Sequence, residues 1–187
     1  MPQRFFELAD DLDTPQRWHL DTPIDRQGRK VHDWDFTKGA PVHVEGRLQI
    51  PVEIEGRPLD YSWAGLSIPV VHVKVAHVLA ELAPNDIQLI PADIRGQPDQ
   101  YLVMVATRLI RCIDEQASKV QFWTPEDGVP EKVGKYWAVD DPRIDKAKVG
   151  NAQVFRPEGW EVILIVSGEI KEALERMGAT GTRFTEV

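Results

Sequence analysis

The chain has 187 residues, a formal net charge of −8 and 42% hydrophobic residues, which is typical of a folded globular protein. The excess of acidic residues argues against nucleic acid or anionic lipid as a partner, because both are bound through a surplus of Lys and Arg. It favours a partner with a basic surface, since complementary charges speed association. Acidity for solubility alone is the alternative explanation.

Cysteine content and hydropathy predict a cytoplasmic protein. Cys112 is the only cysteine, so no internal disulfide can form and a reducing compartment is expected. This residue lies in an apolar run, which favours a buried, unreactive thiol. No apolar stretch typical of a signal peptide follows Met1. Apolar runs such as Val162–Val166 are far shorter than the ~20 residues of a membrane-spanning helix, so we expect no contact with a membrane.

The N-terminal part of the chain predicts strands and loops. Arg4–Leu8 predicts a short strand, and the polar segment after it predicts further strands and loops. Over residues 41–55, apolar side chains occupy mostly even positions and polar side chains odd ones. This alternation predicts a strand with one buried face. Gly46 and Pro51 interrupt the pattern, so a bend, a bulge or an edge position is expected there.

The middle of the chain predicts one helix and one hairpin. Apolar residues at intervals of three and four predict a helix over residues 73–83. Strands are predicted over residues 87–94 and 100–106, joined by a tight turn. An extension of the second strand through Ile113 stays open. A further strand is predicted at residues 135–139, after a polar loop.

The C-terminal part predicts a strand, a helix and a second strand. The apolar run Val162–Val166 predicts a buried strand. Ser167 follows it, where a hydroxyl can cap the start of a helix. Gly178 is placed to end that helix in the left-handed conformation. Residues 182–186 then predict the last strand.

A weak internal repeat relates the two helical segments. When residues 71–90 are shifted by 95 positions, their apolar residues coincide with those of the C-terminal segment. Val71 then meets Val166, and Leu79 meets Leu174. Any two amphipathic helices followed by strands would match in part, so the repeat stays a hypothesis.

These elements together predict an α+β fold. We expect a mainly antiparallel sheet with two principal helices. Two related helix–strand halves would account for the presence of two such helices. We expect a single domain over residues 1–187. A division into an N-terminal lobe, residues 1–57, and a second region, residues 58–187, is the alternative.

No pattern typical of an enzyme or a metal site is found. The five histidines lack the spacing of zinc ligands, and neither a nucleophile elbow nor a phosphate-binding glycine loop is present. Paired carboxylates at Asp10–Asp13, Asp33–Asp35 and Asp140–Asp141 are the remaining candidates for acid–base chemistry. Solvated loop acids and turn formers are the favoured explanation of these residues. We therefore expect no catalytic residue, no cofactor and no metal, with a small carboxylate hydrolase as the alternative.

Acidic residues near tryptophans are the candidate partner-binding residues. Six tryptophans are many for this length, and several stand beside polar residues. Tryptophan is enriched at the energetic centres of protein interfaces. The sequence therefore predicts partner contacts at Asp33, Trp34, Asp35, Asp140 and Asp141.

The C-terminal third also carries a family resemblance. Its three segments are Phe155–Trp160, Ser167–Leu174 and Gly178–Phe184. They resemble the end of a bacterial immunity-protein family from polymorphic toxin systems, first catalogued as a domain of unknown function and typified by a myxobacterial member. The resemblance extends, with gaps, over residues 58–187. Where the family has a Ser-Glu pair at the start of its first helix, this chain has His72-Val73.

The resemblance implies a cytoplasmic, non-catalytic protein that binds and neutralises a toxin domain encoded beside it. It implies no cofactor and does not identify the toxin. A basic toxin, with a nuclease as one candidate, fits the acidic charge of the chain. A regulatory module with a partner other than a toxin stays open.

Overall fold

The computed structural model describes residues 3–187, which contain three α-helices and 14 strands. The strands form a seven-stranded sheet, a five-stranded sheet and a two-stranded ribbon, with mainly antiparallel pairing. This confirms the predicted α+β fold with two principal helices. The helices are α1 (Asp33–Thr37), α2 (Val73–Leu82) and α3 (Gly168–Arg176). The strands are β1 (Phe5–Asp10), β2 (His19–Leu20), β3 (Leu48–Ile50), β4 (Val52–Ile54), β5 (Tyr61–Ala64), β6 (Ile68–His72), β7 (Ile87–Ile94), β8 (Tyr101–Ala106), β9 (Leu109–Ile110), β10 (Lys119–Phe122), β11 (Tyr136–Asp140), β12 (Val154–Pro157), β13 (Ile165–Ser167) and β14 (Thr182–Glu186).

The seven-stranded sheet closes on itself. Its order is β3-β7-β8-β6-β5-β2-β4, and the two outermost strands are consecutive in the chain, separated by Pro51 alone. Ile24, just after β2, exchanges two backbone hydrogen bonds of 2.7 and 2.9 Å with Gln49 of β3. The sheet is therefore a small barrel filled by side chains. Its core includes Trp18, Leu20, Phe36, Leu48, Ile50, Leu59, Ile68, Val70, Tyr101 and Val103.

The five-stranded sheet has the order β14-β1-β13-β12-β9. Helices α2 and α3 pack against each other, and one apolar cluster joins them to both sheets. Phe6 and Leu8 of β1 enter this cluster from the five-stranded sheet, while Val71 and Met104 enter it from the barrel. We call it the two-helix core.

The two principal helices occupy equivalent positions in one repeated motif. Helix α2 joins β6 to β7, and β8 lies between these two strands, antiparallel to both. Helix α3 joins β13 to β14, and β1 lies between them, again antiparallel to both. The residues that coincide in the sequence repeat meet in the two-helix core, where Val71, Leu79, Val166 and Leu174 are fully buried. The topology therefore supports two related helix–strand halves.

The helix ends follow the predicted capping. Ser167 Oγ accepts a hydrogen bond of 3.3 Å from the Ile170 amide at the start of α3. Gly178 ends that helix with φ of +67°. At the start of α2, His72 Nδ1 accepts from the Lys74 amide at 3.1 Å. The side chain of His72 therefore caps the first turn of α2.

Other predicted elements differ from the structure. Strand pairing over residues 41–55 begins only at Leu48, because Gly46 turns the backbone with φ of +74°. The proposed extension of the second hairpin strand is wrong. The chain leaves the barrel after Ala106, and β9 pairs instead with β12 in the other sheet. The run Val162–Val166 is buried over residues 163–166, but its strand starts only at residue 165.

Several elements lie where the sequence predicted none, among them β5, β6, β10 and β12. Helix α1 occupies a segment predicted as strand or loop, and β10 pairs with β11 as a separate ribbon. The ribbon's connection contains the short 3-10 helices Pro125–Asp127 and Pro130–Lys132. Within residues 3–187, no helix has the length and apolar character needed to cross a membrane.

Candidate partner-binding face

Helix α1 places three of the predicted residues on the surface beside the barrel. Phe36 is 2% exposed and belongs to the barrel core, whereas Trp34 is 58% exposed. Two residues apart on a helix lie about 200° apart around its axis, so anchoring one side chain in the core turns the other outward. The fold therefore exposes Trp34 to solvent because Phe36 is buried.

The two aspartates of α1 have different surroundings. Asp33 is half-buried, and its Oδ2 accepts from the Leu66 amide at 3.2 Å. Its Oδ1 is buried and has no hydrogen-bond partner among the described residues. Asp35 forms a 3.0 Å salt bridge with Lys38. Asp33 thus binds the backbone of the turn at Leu66, whereas Asp35 lies at the surface and is paired with Lys38.

A cleft of about 660 Å³ opens between α1 and the β10–β11 ribbon. Its aromatic side chains are Trp34, Phe122, Trp123 and Tyr136, and we call it the aromatic cleft. The rings of Phe122 and Tyr136 lie 5.4 Å apart between centroids. Lys132 Nζ lies 4.8 Å from the centroid of the Trp123 ring, a cation–π contact. Exposed aromatic rings of this kind are typical of protein interfaces.

Charged residues of both signs also line the aromatic cleft. The ribbon and the segment before it contribute Arg111, Glu115, Lys132 and Lys135, and the loop after β12 contributes two glutamates, Glu158 and Glu161. No salt bridge joins any of these six residues to another in residues 3–187. Their charges are therefore not neutralised by ion pairs within the described residues.

A hydrogen bond fixes the phenol at the base of the ribbon. The Tyr136 hydroxyl donates to Glu115 Oε1 at 2.7 Å. Burial, followed by this bond to a carboxylate, raises the pKa of Tyr136 to about 12. The phenol is neutral at physiological pH and acts as a donor that orients its ring.

The other two predicted residues lie at the far end of β11. Asp140 is exposed and pairs in register with Lys119. Asp141 has φ of +48° and forms a 2.9 Å salt bridge with Arg143. Asp140 lies four positions after Tyr136 along the strand, a distance of about 13 Å. The structure thus places Trp34 at the aromatic cleft. Asp33 and Asp35 lie beside Trp34 on α1 without lining the cleft, and Asp140 and Asp141 lie outside it.

The whole sequence matches one family, described as Immunity protein family (Imm11), over residues 1–187. The chain belongs to this family. The match includes residues 1–57, so the resemblance extends beyond the region 58–187 in which the motifs lie. No curated protein matches the chain.

Three exposed positions on this face of the Imm11 protein were not predicted from the sequence. Leu66 is 81% exposed, Val162 is 51% exposed and Phe122 is 40% exposed. Leu66 stands alone between polar and small residues, and Val162 opens a run that otherwise predicts a buried strand. Periodicity does not report exposed apolar residues of this kind, because it identifies the side that is buried.

Except for Asp140, the acids of the predicted carboxylate pairs form hydrogen bonds or salt bridges within the described residues. Asp10 is buried and forms an ion pair with Arg17, with one contact of 2.8 Å, and it also accepts from the Trp63 amide at 3.0 Å. It is therefore neither solvated nor placed in a cleft. Cys112 is fully buried as predicted, and burial raises the pKa of its thiol to about 11. Residues 3–187 contain no group of three His, Cys, Asp or Glu side chains suited to a metal ion.

Proposed function

We propose that this Imm11 family member binds and neutralises a cognate toxin domain and does so without catalysis. The observation that carries the proposal is the family match over the whole chain. The exposed aromatic and aliphatic side chains around α1 support it, because a contiguous apolar surface is typical of a protein-binding site. Neutralisation then follows from occupying a surface that the toxin needs.

We further propose that the toxin presents a basic surface, with a nuclease as one candidate class. The net charge of −8 supports this partner, since opposite charges speed encounter and disfavour wrong partners. Contacts are proposed at Asp33, Trp34 and Asp35, where α1 borders the aromatic cleft. The protein acts in the cytoplasm, a location consistent with a single buried thiol.

Asp140 and Asp141 are proposed as outer contacts that act through charge. Both are exposed and lie outside the aromatic cleft, so the expected effect is on association. The double variant Asp140→Asn and Asp141→Asn should slow binding at low salt and leave the dissociation rate nearly unchanged. An association rate equal to that of the wild type at low ionic strength would remove both residues from the interface.

The direct test pairs this protein with the toxin domain encoded beside it. Cells that express the toxin domain should stop growing, and co-expression of this protein should restore growth. The two purified proteins should form a stoichiometric complex, with a dissociation constant measured by calorimetry. A toxin that still arrests growth when this protein is abundant, and that forms no complex at micromolar concentrations, would contradict the proposed function.

A further inference from the structure

We infer that Trp34, Leu66 and Val162 form a preassembled apolar contact for the toxin domain and that Arg156 holds two of its three segments from beneath. We call the three side chains the apolar patch. The inference rests on the proposed function, since the occupant is the toxin domain. It adds the chemistry of the contact and a positioning role for a buried arginine.

The apolar patch combines three segments that are far apart in the chain. Trp34 comes from α1, Leu66 from the turn between β5 and β6, and Val162 from the loop between β12 and β13. Their exposed fractions are 58%, 81% and 51%. Tryptophan is enriched at the energetic centres of interfaces, and exposed apolar surface rimmed by polar residues marks interaction sites.

The first link joins α1 to the turn that carries Leu66. Asp33 Oδ2 accepts from the Leu66 amide at 3.2 Å. Gly65 precedes this amide with φ of +59°, and a Cβ atom there would lie 2.6 Å from Asp33 Oδ1. The turn can approach the carboxylate this closely only because residue 65 is glycine. Asp33 thereby ties the backbone at Leu66 to the first turn of α1, which also carries Trp34.

The second link joins the same turn to the loop that carries Val162. Arg156 is 1% exposed, and its guanidinium donates only to backbone carbonyls. Its Nη1 lies 3.0 Å from the Glu161 oxygen and 3.4 Å from the Val162 oxygen, and its Nη2 lies 3.3 Å from the Ser67 oxygen. One planar group therefore sets the spacing of two loops.

The surroundings of Arg156 indicate that this bridge is its role. No carboxylate within residues 3–187 hydrogen-bonds to the guanidinium, and Nε has no partner there. Burial lowers the pKa of Arg156 to about 10, which reflects the cost of removing the cation from water. A buried charge of this kind persists where its hydrogen bonds fix a local geometry. Here that geometry is the relative position of Leu66 and Val162.

The charges around the apolar patch define its occupant. The three segments and their flanking residues carry four acidic side chains, Asp33, Asp35, Glu158 and Glu161, and one basic side chain, Lys38. Lys38 is already paired with Asp35. The adjoining aromatic cleft adds Glu115 and the basic residues Arg111, Lys132 and Lys135, so the acidic part of the rim is the part that the three segments themselves supply. An apolar centre with acids on its own segments is complementary to an apolar toxin side chain flanked by Lys or Arg. We assign the apolar patch to such a segment of the toxin domain.

The bridge that Arg156 forms between the two loops, which we call the clamp, can be tested in the free protein by amide hydrogen exchange. Arg156→Lys keeps the positive charge but lacks the planar fork that reaches three carbonyls. Exchange should accelerate at residues 65–67 and 159–163, relative to the wild type. Leu79→Ala, in the two-helix core, is the control for a loss of stability remote from the patch. Unchanged exchange in both loops of Arg156→Lys would overturn the clamp.

The contact itself is tested by toxin dissociation kinetics. Arg156→Lys should dissociate about tenfold faster than the wild type, as expected when an interface centre loosens. In a background of Leu66→Ala and Val162→Ala, the same substitution should have little further effect, because the side chains it positions are gone. Equal effects in both backgrounds would overturn the positioning role.

Failure of the inference is distinguishable from failure of the proposed function. If the wild type binds the toxin and the variant lacking Leu66 and Val162 binds equally well, the apolar patch is overturned while the function stands. If the wild type binds no toxin, the proposed function fails and the assigned occupant fails with it. The exchange experiment tests the clamp in either case.

Discussion

The two-helix core and the face around α1 use apolar side chains in opposite ways. In the core, Leu79, Ile170 and Leu174 are 0% exposed and connect the two sheets. On the face, Trp34 and Leu66 are more than half exposed. Burial in the first region stabilises the fold, whereas exposure in the second leaves surface for a partner. The proposed binding face therefore lies apart from the region that stabilises the fold, so mutations should affect binding and stability separately.

The largest expected effect is in the two-helix core. Leu174→Ala removes a fully buried side chain from α3 and leaves a cavity. Unfolding free energy should fall by about 2–5 kcal/mol, measured by urea denaturation. Toxin affinity should remain unchanged at temperatures where the variant is fully folded. A folded Leu174→Ala protein that has lost toxin binding would contradict the separation of the two regions.

The next effect is on binding, at the face. Trp34→Ala should weaken toxin affinity by about 2 kcal/mol, roughly 30-fold, because exposed tryptophans concentrate binding energy. Its unfolding free energy should change by no more than about 0.5 kcal/mol. Calorimetric titration measures the first quantity and thermal unfolding the second.

Trp137 provides a matched control for this substitution. It is 52% exposed, close to the 58% of Trp34, but does not line the aromatic cleft. Trp137→Ala should therefore leave toxin affinity within about twofold of the wild type. Equal losses of affinity in the two variants would place the interface elsewhere than the aromatic cleft.

The sequence predicts these two regions unequally well. The helix over residues 73–83 and the segment after Ser167 have an apolar stripe, a cap and a stop, all of which are local signals. Both helices form nearly where they are predicted. The sequence also suggests the relation between the two helix–strand halves, because the apolar positions that coincide in the repeat enter the two-helix core.

The face depends on contacts that local pattern does not contain. The bond between Arg156 and Ser67 spans 89 residues, and that between Asp33 and Leu66 spans 33. Helix α1 is five residues long, too short for a periodic signal. Of the five candidates that composition suggests, Trp34 lines the aromatic cleft, whereas the four acids do not. Composition suggests candidate residues, but their positions relative to the cleft follow only from the tertiary fold.

A smaller effect is expected at the start of α3. Ser167→Ala removes the hydroxyl that accepts from the Ile170 amide at 3.3 Å. Unfolding free energy should fall by about 1 kcal/mol, since one terminal N–H of the helix loses its partner. Ser167→Thr keeps the hydroxyl and should lose less. Equal losses in the two variants, measured by urea denaturation, would assign the effect to packing and not to capping.

The smallest expected effect is the pH dependence of stability at Glu7. Glu7 is half-buried on β1, and burial raises the pKa of its carboxyl, an effect that Arg183 partly opposes. The unfolded chain therefore ionises at lower pH than the folded protein, so the folded state loses stability as pH rises from about 4 through the folded pKa. Glu7→Gln removes this loss. Its melting temperature should exceed that of the wild type at pH 7, and the difference should shrink towards pH 3. Glu81→Gln, at an exposed position of α2, is the control and should show no such trend. If the melting temperature of Glu7→Gln differed from that of the wild type by the same amount at every pH, ionisation of the Glu7 carboxyl would not oppose folding.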